Sequence, residues 1–164
     1  MNIGIVGAGN VAWHLAPALE NAHHKIMVVA NRTKLNAKAL TERLYDATMQ
    51  HHYDFSKFPI DLLIISVSDD ILEEIVKDII IPEKCIVVHT SGSKSIFSLG
   101  YLPTENIGVF YPLQTFSKRK KVDFRDIPFL VESENKTTRK QLLKLAKELS
   151  KTVREVSSSD RKAI

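Results

Sequence analysis

The sequence has one cysteine, one tryptophan, six glycines and six prolines in 164 residues, and its aromatic content is only 7%. A lone thiol, Cys85, excludes an intramolecular disulfide framework and fits a reducing compartment, the cytoplasm. The longest apolar stretches, Leu62–Val67 and Ile79–Pro82, fall far short of the ~20 residues of a spanning helix. The opening MNIGIVGAGN has no basic segment of the kind that begins a secretory leader. So little glycine and proline excludes collagen-like and low-complexity chains. What is present is 44% hydrophobic and 26% charged, enough for the core of one ordinary domain.

Several chemistries are missing too. The six histidines (His14, His23, His24, His51, His52 and His89) make no metal-ligand spacing with Cys85, so no metal site is expected. Ser91 lacks the glycine two residues before it that a hydrolase elbow requires. His89 stands out by ending an apolar run beside Thr90-Ser91, whereas Cys85 and Trp13 read as packing residues.

The net charge of +4 is unevenly spread. Residues 1–116 hold nine Lys/Arg against twelve Asp/Glu, and residues 117–164 fourteen against seven. The densest run, Ser117-Lys118-Arg119-Lys120-Lys121, has no aromatics interleaved for base stacking, which makes it a solvated loop rather than a nucleic-acid surface.

Along the chain, apolar β-branched runs alternate with segments of helical period. Strands are expected at Asn2–Val6, Lys25–Ala30, Asp46–Met49, Asp61–Val67, Cys85–His89, Ile107–Tyr111, Pro128–Val131 and Thr152–Val156. Helices are expected from Asn10 to the loop Asn21–His24, then at Thr33–Leu44, Asp70–Ile80, Lys94–Leu99 and Thr137–Leu149. Pro17 should kink or loosen the first helix. The alternation predicts an α/β domain, doubly wound, with a mostly parallel sheet and helices on both faces.

Gly7-Ala8-Gly9-Asn10-Val11-Ala12 reads G-x-G-x-x-A after a strand and at the start of a helix, the context of the dinucleotide fingerprint. Gly7 permits the tight turn, Gly9 lets backbone approach a pyrophosphate, and Ala12 lets helix and strand pack closely. The helix N-terminus supplies free N–H groups to the phosphates. After the second strand stands Ala30-Asn31-Arg32-Thr33, with no carboxylate to repel a 2′-phosphate. Arg32 can pair with such a phosphate while Asn31 and Thr33 add uncharged donors, so NADP is favoured over NAD. Ser66-Val67-Ser68 and Ser91-Gly92 follow the fourth and fifth strands, at the sheet edge where open α/β folds bind ligands. Asp69 and Asp70 serve either the site or as caps of the next helix, and capping is preferred for Asp70.

The opening Ile3–Val11 resembles that of pyrroline-5-carboxylate reductases and the 6-phosphogluconate dehydrogenase-like group. His89-Thr90-Ser91-Gly92 with Gly108–Phe116 narrows the resemblance to a family of NADP oxidoreductases that joins a Rossmann-like domain to a C-terminal helical domain of unknown function. The resemblance implies NADPH binding and dimerisation through the C-terminal helices. By it, Gly7, Gly9, Asn10 and Val11 hold the pyrophosphate, Asn31, Arg32 and Thr33 the 2′-phosphate, and Ser66–Ser68 with Ser91-Gly92 the ribose and nicotinamide. Tyr111 stands where the family often has His.

The expectation is therefore an NAD(P)-binding Rossmann domain over residues 1–156, followed by a linker and the start of a helix over 157–164, as part of a longer protein. The expected activity is hydride transfer between NADPH and a small imine or carbonyl substrate, with no catalytic acid or base visible in these residues. No nucleic-acid or membrane partner is expected. The alternative is a non-catalytic NADP-binding or sensing module.

Overall fold

Eight short strands carry the apolar β-branched residues, and most of the polar sequence lies in the segments between them. In the computed structural model, which describes residues 1–164, β1 (Asn2–Val6), α1 (Asn10–Asn21), β2 (Lys25–Ala30), α2 (Lys34–Thr41) and β3 (Thr48–Gln50) come first. They are followed by β4 (Leu62–Ile65), α3 (Leu72–Val76), β5 (Ile86–His89) and β6 (Ile107–Pro112). The chain ends with β7 (Phe129–Glu132), α4 (Lys136–Leu149), β8 (Val153–Glu155) and α5 (Ser158–Lys162). The strands form one sheet in the order β3-β2-β1-β4-β5-β6-β7-β8, parallel throughout except where β7 runs against β6.

β1 sits at the point where the order reverses, with β2 on one side and β4 on the other. Register then does the positioning. Gln50, Ala30, Val6, Ile65, His89, Val109 and Glu132 lie in one row across seven strands. The loops that follow Val6, Ala30, Ile65 and His89 therefore emerge side by side at the carboxyl edge, where such sheets bind ligands.

Alternation along the strands splits the core into two layers. Ile3, Ile5, Leu62, Ile64, Ile86 and Val88 face α1 and α4. Val6, Leu63, Ile65 and Val87 face α3 and Phe55. The first layer is aromatic at its far end, where Phe110 and Phe129 ring centroids are 4.8 Å apart and Phe124 lies 5.8 Å from Phe129.

Several boundaries differ from expectation, each for a local reason. The third strand lies at Thr48–Gln50 rather than Asp46–Met49. α2 stops at Thr41 because Arg43 and Leu44 tighten into i→i−3 bonds to Leu40 and Thr41. α3 covers five residues rather than Asp70–Ile80. Ile80 leaves the helix to exchange backbone bonds with Tyr53 and Phe55, at 3.0 and 2.8 Å. Asp70 does not cap it: Ile71 occupies the cap position, with no side-chain bond. Lys94–Leu99 supplies only a 3-10 turn at Ile96–Leu99. α1 is one helix from Asn10 to Asn21, with Pro17 inside it. No helix is long and apolar enough to cross a membrane.

Candidate functional site

The turn from β1 into α1 is built by two glycines with different constraints. Gly7 has φ +103°, and its N–H donates to the Ala30 carbonyl at 2.8 Å. A Cβ there would stand 2.1 Å from the Ser66 carbonyl oxygen, so the backbones of the β1 turn and the β4 end touch. Gly9 has an ordinary extended backbone, and nothing lies within 4 Å of where its Cβ would be. Ala8 and Ala12 are buried against the sheet, which brings the start of α1 close to β1. No side chain caps α1, and no acid sits in its first turn. The N–H groups of Asn10, Val11 and Ala12 have no partner, leaving three donors and the helix dipole at an open cradle.

At the β2 end, the Asn31 N–H donates to Gln50 and its side-chain amide to the Thr33 carbonyl, at 3.1 and 3.2 Å. Arg32 is exposed and makes no ion pair with any carboxylate. Thr33 begins α2 without using its side chain as a cap. At the β4 end, Ser66 is buried and donates its N–H to Val6 at 2.8 Å. Val67 lies beside Gly7, and Ser68 is exposed.

The β5 end is held by His89, which is 1% exposed. Its Nδ1 accepts from the Ser91 N–H and its Nε2 donates to the Ser95 carbonyl, both at 3.0 Å, which fixes the Nε2–H tautomer. Burial pushes its pKa down to about 4, so the ring is neutral near pH 7. The residue singled out beside Thr90-Ser91 is thus a neutral brace with both nitrogens occupied. Ser91 Oγ accepts from the Ser93 and Lys94 N–H groups, at 3.2 and 3.0 Å, closing the turn. Ser93 Oγ donates to Asp69, tying the β5 loop to the β4 loop. Gly92 lies under Tyr111, and a Cβ there would be 2.6 Å from the ring carbon Cζ.

All four expected loops therefore share one edge, from Arg32 past Gly9 to Gly92. Three further residues complete the β5 side: Tyr111, which the resemblance had marked, and Glu132 and Arg161, which gave no sequence signal as site residues, the last 3% exposed on α5. Arg161 follows Ser157-Ser158-Ser159-Asp160 and reads in sequence only as the start of a helix. Burial pushes the Cys85 thiol up to about 12, which leaves it protonated and inert. No three His, Cys, Asp or Glu side chains are grouped to hold a metal ion.

Trp13, in the first turn of α1, and the basic loop come together. The Arg43 guanidinium lies 4.2 Å from the indole centroid and Lys118 Nζ 5.2 Å from it.

This architecture recurs in solved structures. One is "putative NADP oxidoreductase BF3122" from Bacteroides fragilis, 34% identical, with a TM-score of 0.82 over 99% of this chain and 62% of that one. Prephenate dehydrogenase from Aquifex aeolicus shares the fold at 14% identity, with a TM-score of 0.82 over 97% of this chain and 62% of that one. 1-Pyrroline-5-carboxylate reductase from Streptococcus pyogenes shares it at 15%, with a TM-score of 0.71 over 98% and 60%. The first and third are the two kinds of protein that the motifs resembled. The chain spans about three fifths of the length of each. No curated protein matches the sequence. The model of the Rossmann-like domain matches residues 1–113, which hold the glycine turn, the reversal at β1 and all four loops, and the chain belongs to that family.

Proposed function

We propose that this chain is the cofactor-binding domain of an NADP-dependent oxidoreductase. The observation that carries the reading is the pair Gly7 and Gly9. The first is forced by the β4 backbone, and the second opens onto three unpartnered N–H groups. A pyrophosphate suits that cradle, being a doubly anionic group that accepts several N–H donors at once. Arg32, free of any carboxylate, favours a 2′-phosphate on the adenosine ribose, and the similar protein from Bacteroides fragilis carries NADP in its name. When bound, the dinucleotide supplies or accepts hydride at its nicotinamide ring. The residues of this chain bind and orient it: Asn10 and Val11 at the pyrophosphate, Asn31 to Thr33 at the 2′-phosphate. Ser66 to Ser68 and Ser91-Gly92 line the ribose and nicotinamide.

The substrate class that fits this reading is a small imine or carbonyl compound. A helical region beyond these residues would close over it and join two copies in a homodimer, in the cytoplasm. The test of the cofactor assignment is a pair of titrations. NADPH is expected to bind at least about tenfold tighter than NADH, a difference of about 1.4 kcal/mol. Arg32→Ala should remove that preference while leaving NADH affinity unchanged. Equal affinities in the unsubstituted chain would sink the assignment.

One observation favours a second reading, a binding module without turnover. His89 has both nitrogens engaged and Cys85 is inert, so neither can serve as acid or base. NADPH binding without oxidation across imine and carbonyl substrates, measured on the full-length protein, would select it.

A further inference from the structure

α5 is five residues long, too short to persist by its own hydrogen bonds. It is docked through one buried side chain. The Arg161 guanidinium pairs with the Glu132 carboxylate at 2.7 Å, donates from Nε to the Ser91 carbonyl at 3.2 Å, and donates from Nη2 to the Lys94 carbonyl. Ser158 Oγ adds a bond to the same carboxylate at 2.6 Å and accepts from the Ile96 N–H at 3.1 Å. The fork therefore grips both ends of the Ser91–Lys94 turn, whose interior Ser91 Oγ closes. Burying a guanidinium costs several kcal/mol unless its donors are met. A charge spent only on tethering a short helix could stay in water at the surface. Here it is spent on two carbonyls of the loop after β5.

Peptide planarity gives that grip a consequence. In a trans peptide the Gly92 N–H points opposite to the Ser91 carbonyl. Holding that carbonyl on Arg161 turns the Gly92 N–H away from α5, and this N–H has no partner in the structure. The Tyr111 ring above Gly92 prevents the turn from being rebuilt with a larger residue. We propose that Arg161 is a positioning residue for the nicotinamide half of the dinucleotide site, setting the Ser91-Gly92 peptide so that its N–H is a fixed donor to that half of the cofactor. The inference rests on the dinucleotide reading above and extends it to an element some seventy residues further along the chain.

The test compares two ligands that share one end. NADPH carries the nicotinamide half; adenosine 2′,5′-bisphosphate keeps the adenine, ribose and 2′-phosphate and lacks that half. Affinities are measured calorimetrically on the 164-residue chain and on Arg161→Met. The expected result is about a tenfold loss for NADPH, the scale of a typical coupling between sites, with adenosine 2′,5′-bisphosphate within about twofold of its original affinity. Equal loss for both ligands makes Arg161 a purely structural anchor and overturns the inference. Unchanged NADPH affinity overturns it as well. If the unsubstituted chain binds the bisphosphate but not NADPH, or binds neither, the dinucleotide reading itself fails and the inference with it. Should Arg161→Met not fold, Arg161→Lys, which keeps the pairing charge but cannot span both carbonyls, is judged by the same two affinities.

Discussion

Gly7 and Gly9 are two residues apart and fail in opposite ways. At Gly7 a methyl group meets the Ser66 carbonyl at 2.1 Å, with φ at +103°, so Gly7→Ala must move the β4 end or the turn. It should cost at least about 3 kcal/mol, read as a lowered urea midpoint, because backbone strain and overpacking add. Gly9→Ala should leave the midpoint within about 0.5 kcal/mol, since its backbone is ordinary and its surroundings are open. The methyl group would instead fill the space a pyrophosphate needs, so NADPH binding should be lost from a folded chain. His89 gives a pH signature. An unfolded histidine titrates near 6.5 and the buried one at about 4. Between those values the unfolded chain binds a proton that the folded chain refuses, so stability falls as pH drops through that window and levels off below it. The loss is bounded at about 3.5 kcal/mol by 1.4 kcal/mol per pH unit. Urea unfolding at a series of pH values should show a shallower decline in His89→Gln, which removes this group's contribution. An identical slope in the two proteins would remove His89 as its source.

α1 shows how one element's defect is met by another. Pro17 has no N–H, so the Trp13 carbonyl loses its helical partner. The Arg43 side chain, just beyond α2, donates to that carbonyl at 3.3 Å and stacks on the Trp13 ring. The orphaned acceptor is thus satisfied from outside the helix. This predicts a coupling. Arg43→Met should cost about 1 kcal/mol in the original chain and measurably less in Pro17→Ala, where residue 17 supplies the missing N–H. Purely additive effects in the double variant would show that Arg43 acts through the indole alone. The same case marks what a sequence can show at this scale. Pro17 was legible as a defect, but its remedy lies 26 residues away and depends on how α2 ends. α3 was legible as a helix, but its length was set by Ile80 pairing with Tyr53 and Phe55, a contact with no periodic signal. Strands fared better because burial on both faces leaves a continuous apolar run, as in Leu62–Ile65.

Over the whole molecule, the alternation of strand and helix was enough to predict a doubly wound, mostly parallel sheet; the strand order that puts β1 between β2 and β4 came from the structure. The reversal of β7 against β6 was not, because an antiparallel return through residues 113–128 has the same apolar pattern as a crossover. The candidate site divides along the same line. Its β1, β2 and β4 loops follow their strands directly and are readable from the strand ends. Its β5 side depends on Glu132 from β7 and Arg161 from α5, which register and docking bring in from the far end of the chain. A ligand lying along this edge touches loops rooted in β1, β2, β4 and β5, four adjacent strands with buried side chains on both faces. Releasing the ligand from any one of them requires loosening the central sheet, so binding should stabilise the molecule as a unit. At a hundred times its dissociation constant, a ligand that binds only the folded state adds about 2.7 kcal/mol. For a chain of this size that is a rise of about 5–10 °C in Tm. NADPH should give that rise in a single sharpened transition. Gly9→Ala should keep the ligand-free Tm and show no rise. A rise that survives Gly9→Ala would place the bound NADPH somewhere other than the β1–α1 cradle, because the added methyl group blocks nothing else.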